Sequence, residues 1–149
     1  MKSSETIASV LTNKPSEIWS IEPTATVYRA IEMMAERRIG ALLVMSEGKL
    51  AGIISERDYA RKVILLDRSS HQCQVREILT SPLITVSPDN TVDECMRIMT
   101  EHRIRHLPVV KGEKVAGVVT IGDLVKWIIT SHEETIEQLH AYISGSYPG

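Results

Sequence analysis

Pro23-Thr-Ala-Thr-Val-Tyr-Arg-Ala-Ile-Glu-Met-Met34 and Pro88-Asp-Asn-Thr-Val-Asp-Glu-Cys-Met-Arg-Ile-Met99 stand 65 residues apart and share one design. Each has a proline, a threonine able to cap a helix, and then an apolar stripe. Val27, Ala30, Ile31 and Met34 fall at i, i+3, i+4 and i+7, as do Val92, Cys95, Met96 and Met99, so each stretch predicts a helix burying one face. Outward from these helices the register holds without a gap, Ser20–Ile64 against Thr85–Ile129. It pairs identical residues at Arg38 and Arg103, Ile39 and Ile104, Leu42 and Leu107, Val44 and Val109, Gly52 and Gly117, and Asp58 and Asp123. Such a period is too long for a helical solenoid and suits a duplicated half-domain, each half covering an exposed face of the other.

Within each half the order is β-α-β-β-α. Ile18–Ile21 and Leu83–Val86 are short strand-prone pieces stopped by Pro23 and Pro88, and Thr24 or Thr26, Asp89 or Thr91, can cap the helices. Ala41–Met45 and Leu50–Ser55 flank Ser46-Glu-Gly-Lys49, while Leu107–Val110 and Val115–Thr120 flank Lys111-Gly-Glu-Lys114; each pair predicts a hairpin. Glu56–Leu66 and Ile121–Thr130 return to helical spacing. Thr6–Leu11 and Val75–Leu79 predict lead-in helices. Ser131, with Glu134 placed for a capping box, predicts a separate last helix over 131–144 carrying Ile136, Leu139, His140 and Ile143 on one side. Whether that helix packs on its own domain or serves a dimer contact stays open. The expected fold class is α/β (α+β), two repeats at 7–66 and 75–130 packed as a pseudo-two-fold pair in one module over 1–149.

Composition narrows the function. The 149 residues are 43% hydrophobic and 24% charged, with a formal charge of −2, so a soluble domain with a real core is expected and any anion must be held locally. No apolar run approaches the ~20 residues that span a bilayer, and the polar start lacks a secretory layout, which predicts no membrane partner and a cytoplasmic location. Cys73 and Cys95 lack metal or disulfide spacing. His102 and His106 are i, i+4, but Ile104 and Pro108 predict a strand there, so no metal is expected. His132-Glu-Glu-Thr-Ile136 lacks the second histidine of a zinc-protease motif. Phosphate-loop, dinucleotide-loop and nucleophile-elbow motifs are missing, so catalysis is not expected. Nucleic-acid binding is disfavoured by 4% aromatics and no Phe.

The chemistry concentrates where each hairpin turns into a helix. Gly52-Ile-Ile-Ser55-Glu-Arg-Asp58 and Gly117-Val-Val-Thr120-Ile-Gly-Asp123 both set a hydroxyl and a carboxylate three apart in the first helical turn, beside free backbone N–H groups. A phosphate can sit on the N–H groups and hydroxyl while the carboxylate accepts hydrogen bonds from a ribose diol. A single such pair reads as helix capping; two in register argue for a site. Arg105 and His106, just before a strand, supply candidate phosphate-binding cations.

These junctions, with Ile78-Leu-Thr80, Ser87-Pro-Asp-Asn-Thr-Val92, Leu107-Pro-Val-Val110 and Gly117-Val-Val-Thr-Ile-Gly-Asp-Leu124, resemble a tandem pair of cystathionine-β-synthase-type (CBS) domains, a Bateman module. The resemblance covers residues ~7–130 and implies two halves joined through their sheets, with two clefts for adenosyl ligands: AMP, ADP, ATP, NAD or S-adenosylmethionine. It implies disc-like homodimers and an unidentified protein effector. Residue by residue, it implies that Ser55 and Thr120 contact phosphate or sugar, that Asp58 and Asp123 hold ribose, and that Arg105 and His106 neutralise charge. Ile21, Ile39, Val86 and Ile104 would line the adenine slots, with Gly40, Ala41, Arg57, Pro108, Ile121 and Gly122 completing the two walls. The first half departs from the pattern: Gly40-Ala-Leu-Leu43 stands where the second has Arg105-His-Leu-Pro108, so the clefts are unequal. The Ser55-Glu-Arg-Asp-Tyr-Ala-Arg-Lys62 run resembles small stand-alone bacterial CBS-pair proteins and implies a nucleotide sensor. A ligand-free dimeric scaffold and a nucleotide-acting enzyme remain the alternatives.

Overall fold

The computed structural model describes residues 5–14, 17–80 and 82–143, with 133–143 by backbone alone. Helix α1 (Ile7–Thr12) precedes a first unit of β1 (Ser20–Ile21), α2 (Val27–Arg37), β2 (Ala41–Ser46), β3 (Lys49–Ser55) and α3 (Glu56–Lys62). The second unit comprises α4 (Val92–His102), β4 (His106–Lys111), β5 (Lys114–Thr120) and α5 (Ile121–Ile143). The duplication is thus a structural one, and the mixed helix–strand architecture is the expected class.

Local chemistry sets the element ends. Thr26 and Thr91 are the helix caps, their hydroxyls accepting from Arg29 N at 3.1 Å and Glu94 N at 3.0 Å. Both helices close on a left-handed arginine, Arg38 with φ 56° and Arg103 with φ 54°. The β2–β3 loop has positive φ at both Glu47 and Gly48, the type I′ geometry that matches strand twist. In the β4–β5 loop Gly112 takes φ 63°, the first-position glycine of a type II′ turn.

Four expectations need correction. Leu83–Val86 is not a strand: Val86 alone bridges, in parallel, to Val109. It donates to Pro108 O at 3.0 Å and accepts from Val110 N at 2.8 Å, and Pro82 and Pro88 close in on either side. The second lead-in is a 3₁₀ turn, Val75–Glu77, not an α-helix, and α3 ends at Lys62 before a separate 3₁₀ turn, Ile64–Leu66. Nor does Ser131 open a new helix. Helix α5 runs unbroken from Ile121 to Ile143, because after Gly122 in its first turn no glycine or proline interrupts the chain and its backbone ladder simply continues. The side chains of the expected stripe Ile136, Leu139, His140 and Ile143 lie outside the described residues.

The core is double, and the lead-ins are exchanged. Ile7, Val10 and Leu11 of α1 pack into the second unit with Val92, Cys95, Met99, Leu107, Val109 and Leu124. Cys73, Val75, Ile78 and Leu79 pack into the first with Val27, Ala30, Met34, Leu42 and Ile54. Backbone bonds secure both crossings: Val92 N to Glu5 O and Val27 N to Cys73 O, each 2.8 Å. A Cβ on Gly117 would stand 3.0 Å from Leu11 Cδ2, and one on Gly52 3.1 Å from Leu79 Cδ1. The paired glycines are therefore seats for the lead-in leucines. Each buried Leu, Ile or Val contributes about 1.5–3 kcal/mol, so neither unit keeps its core without the other's lead-in.

Candidate functional site

The first junction is a complete capping box. Ser55 Oγ accepts from Asp58 N at 3.2 Å, and Asp58 Oδ2 accepts from Ser55 N at 2.9 Å. The same oxygen also accepts from Ser55 Oγ at 2.9 Å and Thr80 Oγ1 at 2.8 Å, while Oδ1 lies 3.1 Å from Lys62 Nζ. Lys62 donates onward to Ile78 O and Leu79 O, at 3.2 and 3.1 Å. Asp58 is the one charged residue buried among the described residues. A carboxylate has about four lone-pair sites, so its capacity is nearly filled.

This junction floors a cavity of about 610 Å³ whose other wall comes from the second unit. Ser55, Arg57, Asp58, Arg61 and Lys62 face His102, Arg103, Ile104, Arg105 and His106, with Gly40, Ile53, Glu56, Thr80, Pro82 and Ile84 between. Seven basic side chains thus meet two acidic ones. Arg57 links the walls by donating to Arg103 O at 3.1 Å. A Cβ on Gly40 would stand 3.4 Å from His106 Nε2, so the missing cation of the first half leaves room for the histidine of the second. Burial pushes the His106 imidazolium pKa down; nearby Lys14, Arg105 and Arg57 add to this, and Asp123 only partly opposes it.

The second junction repeats the cap but not its setting. Asp123 Oδ2 accepts from Thr120 N at 2.9 Å, and Thr120 Oγ1 accepts from Asp123 N at 3.1 Å. Its cation comes from the lead-in: Lys14 Nζ lies 2.7 Å from Asp123 Oδ2 and 2.7 Å from Val118 O. Burial works to raise the Asp123 pKa, but hydrogen bonds from Lys14 and Thr120 outweigh it and hold the group below the usual carboxylate range. A groove of about 490 Å³ between α1 and α5 begins here, lined by Val10, Asn13, Lys14, Asp123, Lys126 and Trp127 among others.

Two units of this topology, with a hydroxyl–carboxylate cap at each strand–helix junction, match the model of the CBS domain over residues 8–65 and 75–130. The chain belongs to the CBS-domain family. It is 46% identical over 127 residues to the mitochondrial CBS domain-containing protein CBSX3 of Arabidopsis thaliana, covering 82% of this chain and 62% of that one. This chain therefore spans less than two thirds of that relative. A protein with CBS domains from Burkholderia ambifaria has a similar structure, with a TM-score of 0.81 and 50% identity over 84% of this chain and 94% of its own. The hexameric CBS-CP12 protein of bloom-forming cyanobacteria is similar at TM-score 0.71 and 26% identity, covering 80% of this chain and 66% of its own. CBS-domain pairs are generally regulatory modules.

The CBS pair distributes the expected binding residues unevenly. Gly40, Ser55, Arg57, Asp58, Ile104, Arg105 and His106 line the larger cavity together. Ile21 and Val86 do not line it; they are buried in the two cores, and Ile39 packs against the first core. Pro108 is buried in β4, and Ile121 packs on the second core. Ala41, Thr120 and Gly122 line neither described cavity, while Asp123 lines the groove. Sequence reasoning missed Thr80, Lys14, Ile53 and Ile84. Thr80 lies in the Ile78-Leu-Thr80 signature, but its bond to Asp58 spans 22 positions and depends on the exchanged lead-in. Among the described residues no group of three or more His, Cys, Asp or Glu could hold a metal ion, and no helix is long and apolar enough to cross a membrane.

Proposed function

We propose that this CBS pair is an adenine-nucleotide sensor whose principal binding site is the cavity between Ser55–Lys62 and His102–His106, and that occupancy of it changes how the module meets a protein effector. The observation that carries this reading is the composition of the walls. One cavity is lined both by the apolar Ile53, Ile84 and Ile104 and by four arginines, Arg57, Arg61, Arg103 and Arg105. A planar base suits the isoleucines, and a phosphate suits guanidinium groups that bind oxygens bidentately. Its volume is in the range of small-molecule sites. Asp58 retains about one lone pair, on Oδ1, so a ribose hydroxyl is held there by a single hydrogen bond beside Lys62.

His106 is neutral above its lowered pKa and donates or accepts one hydrogen bond at the phosphate; Arg105 carries permanent charge. AMP, ADP, ATP and NAD all present the required base, diol and phosphate. Ligand works by differential affinity for two arrangements of the module, and no chemical step is assigned to it. Homodimerisation belongs to the same proposal: Ile64, Leu65 and Leu66 expose 53%, 73% and 61% of their surface in one consecutive run.

Calorimetric titration of AMP and adenosine into the parent and Arg105→Ala tests the site. The parent should prefer AMP to adenosine, and the variant should lose about tenfold in AMP affinity, roughly 1.4 kcal/mol, with adenosine unchanged. An Arg105→Ala protein with the full AMP preference moves the phosphate away from Arg105. Failure of the parent to bind any of AMP, ATP and NAD removes the sensor reading.

A further inference from the structure

The two junction carboxylates obtain their cations from different parts of the chain. Asp58 is paired by Lys62, four residues on, so that contact joins two points of one helix. Asp123 is paired by Lys14, at the end of the lead-in, 109 positions away. In the lead-ins, where Leu11 on Gly117 answers to Leu79 on Gly52, Lys14 falls opposite Pro82, and in the repeat register Lys62 falls opposite Trp127, so neither pairing is reproduced in the other half. The Lys14 ammonium uses two donors at once, on Asp123 Oδ2 and on Val118 O, and so bridges α5 to β5. Upstream, α1 is firmly held: Ile7 and Val10 are buried and Leu11 sits on Gly117. Lys14 itself is part-exposed, its side chain at 28% and that of Asp123 at 26%.

We infer that Lys14 is a tethered competitor for the second ribose carboxylate: a ribose diol spans both oxygens of Asp123 only by displacing Lys14, so full engagement of the second junction is coupled to release of the lead-in's end. This rests on the sensor reading above and adds to it a specificity-determining residue and an output element. The ammonium stands on the oxygen that a diol needs if it is to span the carboxylate, leaving Oδ1 alone for a ligand. The groove beside it has room for a nucleoside, and Trp127 gives it an aromatic wall and Lys126 a second cation. A site whose competent form is populated only part of the time binds with its affinity reduced by that fraction. Lys14 imposes that reduction on Asp123, and its release frees the end of a separate segment; Lys62 can turn away from Asp58 with α3 intact, so its release moves no segment.

Trp127 makes the competition visible. The chain has two tryptophans, so in a Trp19→Phe background Trp127 is the remaining indole, and it lines the groove. Adenosine is titrated into this protein with and without Lys14→Met, which keeps the apolar stem and removes the charge, following Trp127 emission; AMP calorimetry on the same proteins reports the larger cavity. Lys14→Met should tighten the Trp127-reported binding about tenfold, as expected if Lys14 holds Asp123 some nine-tenths of the time. Lys111→Ala, at a lysine that lines neither cavity, should leave that midpoint within about twofold. Lys14→Gln serves as the second variant should Lys14→Met not fold, and it should shift the midpoint in the same direction. Equal midpoints with and without Lys14, or no Trp127 response while calorimetry shows AMP bound, overturn the Lys14 inference and leave the sensor reading standing. Absence of AMP and adenosine binding in every protein removes both.

Discussion

Asp58→Ala should destabilise the protein far more than the matching Asp123→Ala, although the two residues are equivalent in the repeat. Asp58 Oδ2 is shared by Ser55 N, Ser55 Oγ and Thr80 Oγ1, and its Oδ1 faces Lys62. Alanine removes the reciprocal half of a capping box, at about 0.5–2 kcal/mol, and leaves the Thr80 and Lys62 donors short of a partner in a part-buried site, at about 1–3 kcal/mol. A total near ~3 kcal/mol follows, roughly a 10 °C fall in Tm for a chain of this size. Asp123→Ala loses a pair about a quarter exposed and one backbone bond, while Thr120 keeps its own cap, so about 1 kcal/mol is expected. Urea denaturation of both variants measures the difference, which should appear in the midpoint with the slope unchanged. Asp58→Asn, which keeps one acceptor oxygen, should fall between. Equal losses in the two alanine variants would show that the Thr80 and Lys62 contacts add nothing and that Asp58 is only a cap. Binding measurements on Asp58 variants accordingly need a temperature well below the lowered transition.

An unperturbed histidine, titrating near ~6.5, would place the pH response of AMP binding between pH ~8 and ~6, but burial lowers the His106 pKa and moves the window downward. The parent-minus-His106→Ala difference in AMP affinity should therefore stay flat above ~6.5 and grow as pH falls below it; a difference that changes mainly between pH 8 and 7 rejects the structural account. Because folded His106 binds protons less readily than unfolded histidine, its contribution to stability is full above pH ~6.5 and declines below, and His106→Ala should flatten that part of the stability–pH curve. The apolar run Ile64–Leu66 should support self-association at micromolar concentration, weakened by Leu65→Asp; sedimentation giving a 16.6 kDa monomer for the parent refutes this.

The architecture was legible because helix and hairpin signals are local and here occur twice. Thr26 and Thr91 as caps, the stripes from Val27 and Val92, and the loops at Glu47-Gly48 and Gly112 each needed only a few adjacent residues. The exchange of lead-ins was not legible. Val75 and Ile7 are both apolar and would satisfy either core; the choice is made by backbone bonds to Ala25 and Asn90 that no periodicity encodes. Val86 shows the same limit: its run is strand-prone, but pairing depends on a partner edge at Val109 and on flanking prolines. At the sites, Ser55 and Asp58 were read as ligand groups and the structure places them in contact with each other; a carboxylate's remaining capacity becomes visible only once Thr80 and Lys62 are in place.

Duplication also decides where the two sites can differ. Residues that hold the repeat together, such as Gly52 and Gly117 under Leu79 and Leu11, are constrained alike, since a Cβ at either meets a leucine at close range. Positions 40 and 105 are not: a cation at both would set two guanidinium groups beside His106, where Gly40 already lies within van der Waals reach of the imidazole. With glycine at one position and arginine at the other, the arginine and histidine serve one cavity and have no counterparts in the first half. The lysines make the same division by another route, one internal to α3 and one on the lead-in. An ammonium four residues along a helix joins two points of one element and can turn off its carboxylate with that helix intact, whereas one on a lead-in joins two separate segments, and only the second arrangement can turn occupancy of a carboxylate into movement of a chain segment.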